Sequence, residues 1–232
     1  MPDDIEGAPC NLLFDLDGTL VDSAPDLAGA LNRLRAEQGL AALAIAQVKG
    51  MVGDGVAKLV ERGLPPSGEA APGPGDRERL VRRFLEIYEA RLTAETRPYP
   101  GVVETLEILA AAGWRLGVCT NKPEAASREI LADLGLERFF ATVGGGDSFA
   151  ERKPAAGHLL ATLARMGAAP GSAVMVGDSP NDVLSARNAG LPVVVVGYGY
   201  SRVPPAELGA DALIERFAEL PAALAALARD LS

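Results

Sequence analysis

The sequence predicts an α/β fold, a Rossmann-like parallel sheet with helices on both faces plus an inserted α-helical cap. Three observations carry that expectation. Short apolar runs recur without clean polar alternation, as strands buried on both faces do. Helical stretches separate most of them. Between residues 22 and 97 the strand pattern stops, and every candidate element is helical. The chain has 232 residues, 48% of them hydrophobic, enough for one domain carrying a smaller insert.

The core is read as residues 1–21 and 98–232, and its first strand as Asn11–Leu16. The insert, 22–97, holds helices at Pro25–Glu37, about Ala44–Glu61 and Asp76–Thr96. In the last of these, Leu80, Phe84, Ile87 and Arg91 recur at spacings of three and four, the mark of an amphipathic helix. The segment Gly63–Gly75, rich in Pro and Gly, reads as an exposed loop. The core resumes near Pro98. Strands are expected at Arg115–Thr120, Ala141–Gly144, Ala173–Gly177 and Pro192–Gly197, with Asp211–Ile214 weaker. The intervening helices are Val102–Ala112, Glu124–Leu134, Ala155–Met166 and Asp182–Ala189, and Pro221–Leu231 closes the chain.

Composition excludes several classes. A net charge of −9 argues against broad attraction to nucleic acid or anionic membranes. Any anion site must be made positive locally. Two cysteines, Cys10 and Cys119, make no disulfide scaffold and suit a reducing cytoplasm. No apolar run approaches a membrane span, and the acidic start MPDDIEGAP has no signal-peptide core. The single histidine, His158, excludes a multi-His metal site.

Chemistry concentrates at the strand ends, where open α/β sheets bind ligands. The first strand ends in Asp15-Leu16-Asp17-Gly18-Thr19, two carboxylates and a permissive backbone. Such a run arises by chance about 10⁻⁵ times per position; the plain alternative is an acidic turn. A later strand ends in Thr120-Asn121-Lys122, either an anion site beside a helix N-terminus or simply a turn. Arg152-Lys153-Pro154 offers one of only four lysines, either a compact charge for phosphate or a solvated side chain. Asp178 ends an apolar strand and Asp182 opens the next helix. Converging with Asp15 they make an oxygen-rich pocket of the kind Mg²⁺ prefers; alone, Asp178 or Ser179 is a helix cap.

In this order the four motifs resemble the phosphatase branch of the haloacid dehalogenase superfamily, over nearly the whole chain. Within it the phosphoglycolate phosphatase family is most similar, through Phe14–Ser23, Gly177–Gly190, Gly197–Tyr200 and Glu207–Ile214. The stretch Gly50–Gly55, with Gly53, Asp54 and Gly55, looks like that family's substrate loop in the cap. The resemblance implies that Asp15 is a nucleophile forming an aspartyl-phosphate and Asp17 a general acid and then base. It implies that Lys153, Thr120, Asn121 and Gly18 hold the phosphoryl group. Asp15, the Asp17 backbone carbonyl and Asp178 would bind Mg²⁺, with Asp182 supporting. The implied substrate is a small phosphorylated metabolite, 2-phosphoglycolate first, then pyrophosphate or a sugar phosphate. A sugar phosphomutase or a non-catalytic phosphate-binding protein are the rivals, and the chain would be a monomer or homodimer.

The physics fits that assignment. Phosphate monoester hydrolysis is so slow that catalysis must supply up to ~10²¹-fold. A carboxylate nucleophile splits it into two displacements, and a cation offsets anion–anion repulsion. Only a neutral Asp17 can protonate the leaving oxygen. One departure stands out: after Lys153-Pro154 the family has a second proline, where this chain has Ala156. Lys153 is still expected to reach the site. His158 is expected at the surface, Cys119 in the core, Trp114 capping the core and Arg82-Arg83 solvated. Asp22 is either a hinge residue or a helix N-terminal charge.

Overall fold

The computed structural model describes residues 11–64, 74–169 and 171–230. Cys10 and most of the Gly63–Gly75 segment lie outside them. Strand β1 (Asn11–Phe14) leads through a short strand β2 (Val21–Asp22) into four helices, α1 (Ala24–Glu37), α2 (Ile45–Lys49), α3 (Val56–Gly63) and α4 (Pro74–Glu89). Strand β3 (Arg97–Pro98) pairs antiparallel with β2, so the two connections to the helical segment lie side by side. Then follow α5 (Val102–Ala111), β4 (Arg115–Cys119), α6 (Glu124–Asp133), β5 (Phe140–Gly144) and α7 (Ala156–Met166). The chain closes with β6 (Ala173–Gly177), α8 (Pro180–Ala189), β7 (Val193–Val196), β8 (Ala212–Ile214) and α9 (Leu220–Asp230).

Six strands form one parallel sheet in the order β5-β4-β1-β6-β7-β8. Alternate side chains explain why the strands read as continuous apolar runs. Leu12 and Phe14 share a core with Val102 and Leu106 of α5, Ile130 of α6 and Leu224 of α9. Leu13 shares another with Leu159 and Leu163 of α7 and Val183 of α8. Each fully buried Leu, Val or Phe contributes about 1.5–3 kcal/mol. The order reverses at β1, whose neighbours β4 and β6 lead outward in opposite directions. That switch point opens a crevice at the carboxyl end of β1.

The helical segment shares the first core through Leu31, Leu34, Leu59, Phe84 and Tyr88. The expected single helix over 44–61 is two helices. Gly53 (φ +110°) and Gly55 (φ +87°) hold left-handed backbone that an α-helix does not continue through. The third helix stops at Glu89, before the expected Thr96. The chain there turns back under the pull of Asp26, a fully buried carboxylate. Its Oδ2 accepts from Glu95 N, Thr96 N and Thr96 Oγ1, each at 2.8 Å. Arg83 is exposed as expected and reaches Glu37 of α1 at 2.8 Å. Trp114 is half-buried against the core, and Cys119 is fully buried. No described helix is long and apolar enough to cross a membrane.

Asp26→Ala orphans the buried Thr96 N–H and removes the acceptor of Glu95 N and one of the two acceptors of Thr96 Oγ1. It is expected to lower unfolding free energy by about 3 kcal/mol, read by urea denaturation.

Candidate active site

Three adjacent strand ends supply the site: Asp15 after β1, Thr120 after β4 and Asp178 after β6. The register aligns Phe14 with both Val118 and Val176, so these ends are level. Asp15 N donates to Val176 O at 2.9 Å, and Thr120 N to Gly144 O at 2.9 Å. Asp182 opens α8 one turn beyond Asp178.

Lys153 lies at the centre. Its ammonium is 3.0 Å from Asp15 Oδ1 and 2.6 Å from Asp182 Oδ1, and it is almost fully buried. Burial alone would discharge it, but Asp15 and Asp182 outweigh that and push its pKa up. The missing second proline does not displace it. Its loop is held at both backbone ends: Lys153 N donates to His158 Nδ1 at 3.1 Å, and Asn121 Nδ2 donates to Lys153 O at 3.0 Å. His158 is therefore a correction to the sequence reading. It is fully buried, not at the surface, and burial with the nearby Lys153 charge lowers its pKa to about 4.

The acidic members divide their work. Asp182 Oδ2 accepts from Asp178 N (3.1 Å), Ser179 N (3.0 Å) and Ser179 Oγ (2.7 Å), closing a helix cap while Oδ1 faces Lys153. Asp178 accepts from Tyr200 N at 2.6 Å and Thr19 Oγ1 at 3.2 Å. Gly18 permits that packing: its φ is +85°, and a Cβ there would lie 2.5 Å from Asp178 Oδ2. Burial, with Asp182 and Asp15 nearby, pushes Asp178 well above the usual carboxylate range. Burial raises Asp15 to about 6, against the opposing pull of Lys153.

Asp15, Asp178 and Asp182 each place a carboxylate oxygen within 4.8 Å of the others. Three carboxylates against one ammonium leave a buried excess of negative charge. Hard oxygen donors with that excess fit a divalent cation such as Mg²⁺.

Asp17 faces another way. Its carboxylate accepts from Ser23 Oγ at 2.5 Å and pairs with Lys122 Nζ at 3.1 and 3.2 Å. Lys122 also donates to Tyr88 Oη of α4 at 2.7 Å. Sequence reasoning passed over Lys122. Its signal was there: one of four lysines, two residues beyond a strand end.

The loop of the helical segment docks on the core. Gly53 O accepts from Asn121 Nδ2 at 3.0 Å and Asn181 Nδ2 at 3.2 Å. Asp54 accepts from Asn181 at 2.6 Å and pairs with Arg62 at 2.5 Å and Arg202 at 3.5 Å. Gly53 and Gly55 line the cavity holding Asp15, Asp17 and Thr120, whereas Asp54 belongs to a neighbouring one. The Asn121 amide is thus turned between two loop carbonyls. Asp22 accepts from Ala24 N at 3.3 Å, at the start of α1, and lies in the β2–β3 pair.

A doubly wound sheet with buried carboxylates around one lysine at its switch point defines a class of acid-rich α/β enzymes. The family model for haloacid dehalogenase-like hydrolases matches residues 12–196, and the chain belongs to that family. It is 46% identical over 223 residues to a phosphoglycolate phosphatase of Caulobacter vibrioides, covering 95% of this chain and 92% of that one. It is 47% identical over 215 residues to one of Rhodospirillum rubrum, covering 91% and 89%. A solved structure of a predicted phosphoglycolate phosphatase from Haemophilus somnus is 34% identical, with a TM-score of 0.86 over 92% of this chain and 96% of that one. CbbY from Rhodobacter sphaeroides, solved with phosphate, is 28% identical, with a TM-score of 0.78 over 93% and 99%.

His158 makes an acid limb. Its folded pKa is depressed, so its stabilisation is present above the unfolded value near 6.5 and lost as pH falls through about 4. His158→Gln keeps an acceptor for Lys153 N without the titration. It should flatten the stability loss between those pH values by up to ~3 kcal/mol, followed by denaturant melts across pH.

Proposed function

We propose that the chain is a Mg²⁺-dependent phosphatase acting on 2-phosphoglycolate and releasing glycolate and phosphate. The observation that carries this is the buried Asp15–Lys153–Asp182 cluster at the switch point, with Asp17 beside it on a separate cation. The names of the similar proteins supply the substrate. We assign Asp15 as nucleophile and Asp17 as general acid and base. Lys153, Thr120, Asn121 and Gly18 form the phosphoryl pocket. Asp15, the Asp17 carbonyl and Asp178 are the metal ligands, supported by Asp182. Residues 22–97 serve as a cap over the core formed by 1–21 and 98–232, and Gly53, Asp54 and Gly55 are its substrate loop. The enzyme works in the cytoplasm.

In this reading an Asp15 oxygen attacks phosphorus, and the bond from phosphorus to the leaving oxygen breaks. Asp17 gives that oxygen its proton. Asp17, now a carboxylate, takes a proton from water, whose oxygen attacks the aspartyl-phosphate. The bond from phosphorus to Asp15 breaks, and the carboxylate returns. Lys153 holds Asp15 and compensates charge on the transferring group. Bound Mg²⁺ supplies charge neutralisation between the Asp15 carboxylate and the phosphoryl oxygens. Docking of Gly53 on Asn121 and Asn181 excludes water from the reacting groups.

A sugar phosphate is the second reading. A CbbY variant 28% identical to this chain was solved with xylulose-1,5-bisphosphate. Phosphate release from a panel of small phosphates decides, with and without Mg²⁺ and with Asp15→Asn as blank. The first reading expects 2-phosphoglycolate to lead by about 100-fold in kcat/KM, or ~2.7 kcal/mol. Parity with sugar phosphates or pyrophosphate keeps the chemistry and replaces the substrate. No release from any of them overturns the enzyme.

Asp17→Asn keeps its backbone carbonyl. It should bind Mg²⁺ within a few-fold of the wild type by calorimetry while kcat falls by about 10³ or more. Near-normal turnover would remove Asp17 from its role.

A further inference from the structure

A small cavity of about 40 Å³ lies beside Asp15. On the core side it is lined by Asp15, Asp17, Thr120 and Lys122. The opposite wall, from the helical segment, includes Leu27, Val52, Leu59 and Leu85. Among the described residues lining it, Lys122 is the one cation. The other three lysines do not line it. Lys153 holds Asp15 and Asp182, Lys49 pairs with Asp22 at 3.1 Å, and Lys58 with Glu61 at 3.0 Å.

We propose that Lys122 is the specificity determinant. It receives a carboxylate on the leaving group, and so selects short phosphate monoesters carrying one carboxylate next to the ester oxygen. This deepens the phosphatase reading above and rests on it. Three observations converge. First, Lys122 pairs with Asp17, the residue assigned to the leaving oxygen. In a phosphoglycolate one methylene separates that oxygen from the carboxylate, so the carboxylate comes to rest beside Lys122. Second, a carboxylate entering a cavity with an apolar wall needs a cation there, because desolvation without a partner is costly. Third, that wall is mostly apolar, with the Tyr88 hydroxyl already taken by Lys122, so few partners await the hydroxyls of a sugar there. Tyr88 Oη, at 2.7 Å, fixes the ammonium from α4, so the cation is complete only with this helix in place.

The test compares 2-phosphoglycolate with 2-hydroxyethyl phosphate, which replaces the carboxylate by a neutral group. Wild type, Lys122→Met and Lys122→Arg are assayed with Mg²⁺. Wild type should favour 2-phosphoglycolate by about 100-fold or more in kcat/KM. In Lys122→Met that ratio should collapse to within a few-fold of unity, with most of the loss on 2-phosphoglycolate. Lys122→Arg, which keeps the charge, should restore part of the ratio. If Lys122 only positions Asp17, Lys122→Met lowers both substrates alike and the ratio survives, which overturns the proposal. So does a wild type with no preference. Calorimetry of both compounds on Asp15→Asn, with and without Lys122→Met, reads the same preference without turnover. If wild type hydrolyses neither compound, the phosphatase reading fails. The proposal then stands only if binding shows the Lys122-dependent carboxylate preference, and falls if it does not.

Discussion

The buried ammonium of Lys153 is the constraint on which the site depends. Three carboxylates converge at the strand ends, and burial opposes the charge of each one. Lys153 is the cation that lets Asp15 and Asp182 face each other there, at 3.0 and 2.6 Å. Its position is built from both directions along the chain. Asp182 belongs to the cap of α8, so the first turn of that helix sets where the lysine head sits. His158 and Asn121 hold its backbone N–H and carbonyl, so its stem starts from a fixed point. A lysine suits this geometry because a point charge serves two acceptors lying in different directions.

Two carboxylates one residue apart have been given opposite surroundings. Asp15 turns toward Lys153 and the acidic cluster, and Asp17 toward Lys122, Ser23 and Tyr88. A sharp turn follows both at Gly18, whose N–H closes it on Val21 O at 2.9 Å. The same turn also feeds the first connection to the helical segment.

Much of the fold was legible because its physics is local. Each core strand announced itself by apolar residues facing both ways, Leu13 toward α7 and Leu12 toward α5. The strand-end acids were legible because a parallel sheet puts ligands there. Contacts between distant segments were not. His158 sits on an amphipathic helix, and nothing in its neighbours tells that a loop N–H five residues earlier needs an acceptor. Asp26, in the first turn of α1, organises residues 95 and 96 some 70 positions away, which no local pattern announces. Lys122 looked like a turn residue because both its partners, Asp17 and Tyr88, lie far away in sequence. The glycines that split α2 from α3 were visible, but their left-handed angles follow from docking on Asn121 and Asn181.

That docking connects the two halves of the site. Gly53 O takes donors from the strand-end loop of β4 and from the start of α8, so one carbonyl reads both. Tyr200 makes a parallel link where β2 leads into α1. Its N–H holds Asp178 at 2.6 Å, while its hydroxyl donates to Asp22 at 2.6 Å and accepts from Ala24 N at 3.0 Å. A movement of α1 that carried Asp22 and Ala24 away from Tyr200 would therefore strain the residue that orients Asp178. Lys122 adds a third link, through Tyr88 of α4 to Asp17. Asp17 and Asp178 thus each have a partner tied to the helical segment, whereas Asp15 and Asp182 are held from within the core. The position of the helical segment and the hydrogen bonding of Asp17 and Asp178 are therefore coupled through Tyr88 and Tyr200.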